Sequence, residues 1–105
     1  MCDAPKYTIH NHQFHYGWDN ALQPVERVAP GTTLAFQCSD AGGGHFKPGD
    51  TADAVATLDF SKTNPVTGPV YVDGAAPGDA LKVTFGGFTP SGVGWTANIP
   101  GFGLL

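Results

Sequence analysis

The chain has 105 residues, and its nine acidic and five basic residues give a formal net charge of −4. This balance argues against a nucleic acid or an anionic membrane surface as the main partner, because those partners attract clustered lysine and arginine. A chain of this length holds one hydrophobic core, so we expect a single domain over residues 1–105. No apolar run approaches the roughly 20 residues that cross a bilayer, and the start lacks a signal-peptide pattern, which predicts a cytoplasmic location.

Glycine and proline are abundant, with fifteen and nine residues, but 41% of the chain is apolar and the aromatic residues are spread along it. The turn formers lie between short apolar runs, a pattern typical of a β domain rather than of disorder. We therefore predict a mainly β fold with little helix. The expected architecture is a β-sandwich or jelly-roll-like arrangement of antiparallel sheets with many Pro/Gly turns.

Four segments carry the strand pattern. Period-two alternation is clearest at 32–37 and 80–85, and shorter apolar runs lie at Val25–Val28 and Val70–Val72. Two Pro-Gly turns, at Pro30 and at Pro77, each open an alternating strand. We expect both alternating strands to be half-buried, with Leu34, Phe36 and Cys38 on one face of the first and Leu81, Val83 and Phe85 on one face of the second.

Residues 39–55, "SDAGGGHFKPGDTADAV", form the longest stretch without strand periodicity. We predict a loop here, with one helical turn at Thr51–Val55. Long loops in small domains are often functional. This segment is therefore the first place to look for chemistry.

Asp40 is the strongest candidate within that loop, because it ends an alternating strand and opens three consecutive glycines. Backbone at Gly42, Gly43 and Gly44 can approach a small substrate closely, and a carboxylate can bind a metal ion or accept an amide N–H. His45 is a candidate second ligand for a divalent metal such as zinc. The alternative is that Asp40 caps a turn through neighbouring backbone N–H groups.

Three histidines near the start, His10, His12 and His15, raise a second metal hypothesis. On a strand, His10 and His12 point to one face and His15 to the other, so a shared ion would require a bend. The alternative is structural, with a face of His12, Phe14, Tyr16 and Trp18 that covers the edge of a core.

The two cysteines, Cys2 and Cys38, do not predict a disulfide framework. Cys38 alternates with Phe36, which indicates a buried small apolar group rather than a nucleophile. No serine lies in a Gly-x-Ser-x-Gly elbow, and Lys47 is followed by Pro48 instead of the Ser or Thr of a phosphate-binding loop.

Three ordered blocks resemble the acetamidase/formamidase family of amide hydrolases. They are "HYGWDNALQPVERVAPGTTLAFQCSDAGGG", then "LDFSKTNPVTGPVYVDGAAPGDALKV", similar to an "NPxTGPVYVxGAxPGDxL" pattern, and finally "GWTANIPGFGLL". The sequence departs from the family pattern at His45, where glutamine is expected, and at Gly42, where serine is common.

The resemblance implies a hydrolase of short linear amides such as formamide and acetamide, with Asp40 in the family's glycine loop. Two blocks associated with catalysis, "Gly-Asn-Met-Asp" and "Gly-Asp-x-His-Ala", have no counterpart here. We therefore expect the N-terminal portion of a larger amidase, with the catalytic base outside this chain and no activity from the 105 residues alone. The resemblance also implies a homo-oligomer or association with the C-terminal part of the enzyme.

Two other interpretations remain open on the residues alone. One is a stand-alone β-sandwich binding module without catalysis, in which exposed Tyr16, Trp18 and Trp95 form a platform for a carbohydrate or a protein. The other is a small metal carrier that uses the histidine run. An amidase portion, unlike a binding module, should expose an apolar face near residues 99–105.

Overall fold

The computed structural model describes residues 4–103, and this range contains six short strands and very little helix. The strands are β1 (Tyr7–Ile9), β2 (Phe14–His15), β3 (Glu26–Val28), β4 (Leu34–Phe36), β5 (Val66–Thr67) and β6 (Val70–Val72). The helical segments are α1 (Asp53–Ala56) and a 3-10 turn at Phe60–Lys62. The predicted mainly β class is confirmed. None of the described helices is long and apolar enough to cross a membrane.

The strands pair as three separate two-stranded ladders: β1 with β4, β2 with β5, and β3 with β6. The β2–β5 pair is antiparallel, as predicted, but the other two pairs are parallel. The reason is that the Pro30 turn joins strands of different ladders, β3 and β4, instead of closing a hairpin. Parallel partners require a long crossover, which the chain supplies by running through the other strands in between. The sandwich arrangement stays a prediction.

The predicted Pro-Gly turns are present. Gly31 has a φ of +85° and Thr32 donates its N–H to the carbonyl of Ala29, while Gly78 has a φ of +95°. These positive φ values favour glycine because it has no Cβ to collide with the backbone. The turn at Gly78 is closed by Asp79, whose carboxylate accepts the N–H of Ala76.

The small core lies on the parallel ladders. Within residues 4–103, Ile9 of β1 and Val28 of β3 are the buried hydrophobic side chains. The radius of gyration is 16.8 Å, against roughly 13 Å for a typical globular domain of about 100 residues. Much apolar surface therefore remains uncovered in the described chain.

The second alternating segment was predicted wrongly. Residues 80–85 form no strand in the described structure, and Leu81, Val83 and Phe85 are 67%, 64% and 77% exposed. None of the three ladders includes this segment. Alternation alone does not bury a face, because a strand also requires a neighbouring strand and a layer that covers it.

Two other burial predictions were also wrong. Cys38 is exposed, because β4 ends at Phe36 and the alternation does not continue beyond it. The expected face of His12, Phe14, Tyr16 and Trp18 does not cover a core, since all four side chains are exposed and Trp18 fully so. The cause is the length of β2, which ends at His15 before the chain bends. Cys2 lies outside the described residues.

Candidate functional site

The glycine loop after β4 is organised around the carboxylate of Asp40. Its Oδ1 accepts the N–H of Gly44 at 2.7 Å, and its Oδ2 accepts the N–H of Gly42 at 3.3 Å. The carbonyl of Asp40 accepts the N–H of Gly43 at 2.9 Å. The capping role considered for Asp40 is therefore present, and residues 41–44 form the tight turn that it stabilises.

Glycine is favoured at all three positions of this turn: Gly43 and Gly44 have positive φ, and Gly42 lies close to neighbouring side chains. Gly43 has a φ of +66°, in the left-handed region that other residues rarely adopt. A Cβ at Gly42 would lie 3.1 Å from Cζ2 of Trp95 and 3.3 Å from Oδ2 of Asp40. The absence of side chains thus lets an indole ring approach the turn.

Trp95 contacts Asp40 across 55 residues of sequence, with its Nε1–H donating to Oδ2 at 2.5 Å. The indole also contacts the ring of Phe46, with 4.4 Å between centroids. Sequence reasoning missed this contact and considered Trp95 only in the alternative interpretation, as part of an exposed binding platform. The only local signal was a tryptophan beside a glycine, which does not specify a distant partner.

The environment of Asp40 favours its charged form. Its small burial raises the pKa of the carboxyl, but the hydrogen bonds from Trp95, Gly44 and Gly42 outweigh this and hold the pKa below the ordinary value of 3.8. The side chain is exposed and is ionised at neutral pH. It can therefore accept hydrogen bonds from a ligand, but it is a weak base.

The backbone N–H groups of the three glycines are used inside the turn, because all three donate to Asp40. In this conformation they do not offer donors for a substrate carbonyl. The N–H groups of Gly42, Gly43 and Gly44 therefore stabilise the turn in this geometry. The loop as a place of close substrate approach stays a prediction.

His45 lies on the same loop but makes different contacts. Its Nε2–H donates to the carbonyl of Ala54 at 2.7 Å, which leaves Nδ1 of the neutral ring with its lone pair. The ring packs edge-on against Phe46, with 4.9 Å between centroids. Phe46 thus connects His45 to the indole of Trp95 and, through it, to Asp40.

The predicted metal ligands do not assemble into a set. In the part of the chain that the structure describes, no three His, Cys, Asp or Glu side chains form a group that could hold a metal ion. Asp40 is already engaged with three N–H donors, and Asp40 and His45 alone fall short of the three protein ligands that catalytic zinc usually has. These residues alone do not fit a metal centre, and the predicted divalent metal stays a prediction.

The side chains of the histidine run also make contacts within the chain. His10 and His12 stack with 5.6 Å between ring centroids, and Nδ1 of His10 donates to the side-chain oxygen of Gln37. Nδ1 of His15 donates to the carbonyl of Gly17. An open groove of about 240 Å³ lies nearby, lined partly by His12, His15 and Pro69. The three rings do not form a ligand group.

Comparison with known proteins identifies the class. The sequence model of the acetamidase/formamidase family matches residues 2–105, so the chain belongs to that family. It is similar to the formamidase of Methylophilus methylotrophus, with 34% identity over 68% of this chain, and to the acetamidase of Mycolicibacterium smegmatis, with 30% identity over 66%. The match spans 17% of the length of each relative. No solved structure matches the chain.

Proposed function

We propose that this chain takes part in hydrolysis of the C–N bond of a short linear amide, such as formamide or acetamide, to give ammonia and a carboxylate. Family membership supports the reaction class. The observation that carries the proposal is Asp40, an exposed and ionised carboxylate fixed at the surface of a glycine turn. A small amide presents N–H groups that such a carboxylate can accept.

In this proposal Asp40 binds and orients the amide. A general base for reaction near neutral pH works best when its pKa is close to the operating pH, whereas the hydrogen bonds at Asp40 lower its pKa. Accepting the amide N–H fixes the substrate relative to the loop, which lowers the cost of reaching the reactive geometry. The base that activates water and the acid for the departing amine are supplied from outside this chain.

The chain is further proposed to function within a longer polypeptide of the same family. It spans 17% of the length of its curated relatives, and its described part leaves Leu81, Phe85 and Phe88 exposed. Apolar surface of this extent is normally covered by another chain or domain. The 105 residues alone should therefore self-associate and should release no ammonia from formamide.

The function is tested by replacing the matching segment of the Methylophilus formamidase with this chain and measuring ammonia release from formamide. The chimera should be active, and Asp40→Asn should lower kcat/KM roughly 10- to 100-fold, the effect of losing a hydrogen bond to a charged group. Asp73→Asn is the matched control, because Asp73 pairs with Arg27 and does not contact the loop. An Asp40→Asn chimera as active as its parent would contradict the proposal.

A further inference from the structure

Trp95 is held against the glycine turn on three sides. Its N–H donates to Oδ2 of Asp40, its ring contacts Phe46, and its Cζ2 lies only 3.1 Å from the point where a Cβ at position 42 would stand. The side chain is 39% exposed, so burial alone does not explain its placement. The indole is oriented by specific contacts to the carboxylate and its turn.

These contacts make the two oxygens of Asp40 unequal. Oδ2 accepts two hydrogen bonds, from Trp95 and Gly42, whereas Oδ1 accepts one, from Gly44. A carboxylate oxygen has two lone pairs in its plane. Among the hydrogen bonds of the described residues, Oδ1 is therefore the oxygen with an acceptor position left for a ligand.

We infer that Trp95 is a positioning residue for Asp40: its indole N–H engages Oδ2 and fixes the carboxylate so that Oδ1 accepts the N–H of a neutral amide. The positioning role stands on the geometry of the free chain. The identity of the ligand as a small amide rests on the proposed function. Trp95 does not itself contact the ligand in this assignment.

Nuclear magnetic resonance tests the positioning role without any substrate. The indole N–H resonance of Trp95 should titrate together with the Asp40 carboxyl, and this titration should vanish in Asp40→Asn. Trp95→Phe keeps an aromatic ring beside Phe46 but removes the donor, so the Asp40 midpoint should rise toward the ordinary aspartate value of 3.8. Trp18→Phe is the matched control, because Trp18 is fully exposed, and it should leave the midpoint unchanged.

A second measurement uses the unmodified chain, in case Trp95→Phe does not fold. The indole N–H of Trp95 should exchange with solvent deuterium more slowly than that of Trp18. Equal exchange rates, or an Asp40 midpoint that does not move in a folded Trp95→Phe variant, would overturn the positioning role.

Titration with acetamide then tests whether Asp40 binds a small amide. Acetamide binding should shift the amide resonance of Gly44, which donates to Oδ1, more than that of Gly42. Trp95→Phe should weaken acetamide binding roughly three- to tenfold, a smaller effect than removing the charged hydrogen bond between Asp40 and the ligand. If acetamide does not bind but the Asp40 midpoint moves in Trp95→Phe, the proposed function fails and the positioning role stands. If acetamide binds with equal affinity to both proteins and the midpoint is unchanged, the positioning role is wrong.

Discussion

His45 donates a hydrogen bond of 2.7 Å from Nε2 to the carbonyl oxygen of Ala54, nine residues further along the chain. The hydroxyl of Thr57 donates to the same carbonyl at 3.1 Å, and its Oγ1 lies 3.3 Å from Nε2 of His45. These hydrogen bonds hold the glycine loop against α1. This helix is a single turn, close to the one predicted at Thr51–Val55. His45, where the family resemblance led us to expect glutamine, thus has a structural role in this chain.

This contact predicts different effects for two substitutions of His45. His45→Ala should lower the free energy of unfolding by about 0.5–1.5 kcal/mol, the usual net value of one hydrogen bond. His45→Gln should retain most of the stability, since the glutamine side-chain amide also carries N–H donors. Urea unfolding measures the free energy of unfolding of both variants.

Lys47→Ala is the control for these variants, because no hydrogen bond or ion pair involves its side chain among those described and its effect should stay within about 0.5 kcal/mol. If His45→Ala is as stable as Lys47→Ala, the loop is not held by this bond.

Stability should depend on pH through two aspartates. Burial raises the pKa of Asp40, but its hydrogen bonds together outweigh burial and lower the pKa overall. The hydroxyl and N–H of Ser61 likewise hold the pKa of Asp59 below its ordinary value of 3.8. A folded-state pKa below the unfolded value stabilises the fold above the unfolded pKa, and this stabilisation is lost as the pH falls through the folded pKa. The contribution of these two aspartates to the urea midpoint should therefore be fully present above about pH 5 and fall below about pH 4.

Removing the titrating groups identifies the source of that dependence. Asp40→Asn and Asp59→Asn should each make the acid loss of stability shallower, and the double variant should have the weakest dependence of all. Asp53→Asn is a control, since no hydrogen bond to its carboxylate is described. An acid transition that is identical in the double variant would assign the effect to other groups.

The sequence predicted the local features of the site and could not predict the contacts between distant ones. Val70–Val72 forms β6 with the predicted bounds, and the alternating segment around Leu34 forms β4. Asp40 as a turn cap also follows from its neighbours, because aspartate before glycine hydrogen-bonds to nearby N–H groups. These features depend on a few consecutive residues.

A single sequence does not show which distant residues contact each other. The contact between Trp95 and Asp40 joins residues 55 positions apart, and no periodicity encodes it. The error at 80–85 has the same cause, since a strand pattern specifies which side chains would share a face but not which strand lies beside it. The parallel pairing of β1 with β4 and of β3 with β6 likewise depends on how separate segments meet.

Gly42→Ala should displace the indole of Trp95 slightly from the glycine turn. The new Cβ would meet Cζ2 of Trp95 at 3.1 Å, closer than ordinary van der Waals contact, so the indole must move. We expect a change in the fluorescence of Trp95, measured in a Trp18→Phe background, because the ring must give by a few tenths of an ångström. Gly94→Ala is the matched control, because a Cβ at position 94 would meet nothing within 4 Å. Equal fluorescence in the two alanine variants would show that the indole does not rest on the turn.

Arg27 should stabilise the β3–β6 ladder through two contacts. Its Nη1 lies 3.1 Å from Oδ1 of Asp73, and its guanidinium lies 4.0 Å from the ring centroid of Tyr71, its partner in the ladder register. Arg27→Ala should cost about 1 kcal/mol, and Arg27→Lys should recover only part of it, because lysine keeps the charge but loses the planar stacking. Salt should weaken the ion pair but not the stacking, so a residual difference between arginine and lysine at about 1 M salt is expected in urea unfolding. If the arginine and lysine variants are equally stable at high salt, the stacking on Tyr71 contributes nothing to the stability of the fold.

Ile9 should be the most sensitive position in the described part of the chain, because it is 2% exposed and lies in β1 opposite Phe36 of β4. Ile9→Val should cost about 0.5–1.5 kcal/mol and Ile9→Ala about 2–5 kcal/mol, the sum of lost transfer free energy and the cavity left behind. Val66→Ala is the comparison, since Val66 is 42% exposed and its truncation leaves no closed cavity. Urea unfolding followed by circular dichroism measures both variants, and the loss in Val66→Ala should be the smaller one. Equal loss of stability in the two alanine variants would show that the core is not centred on the parallel ladders.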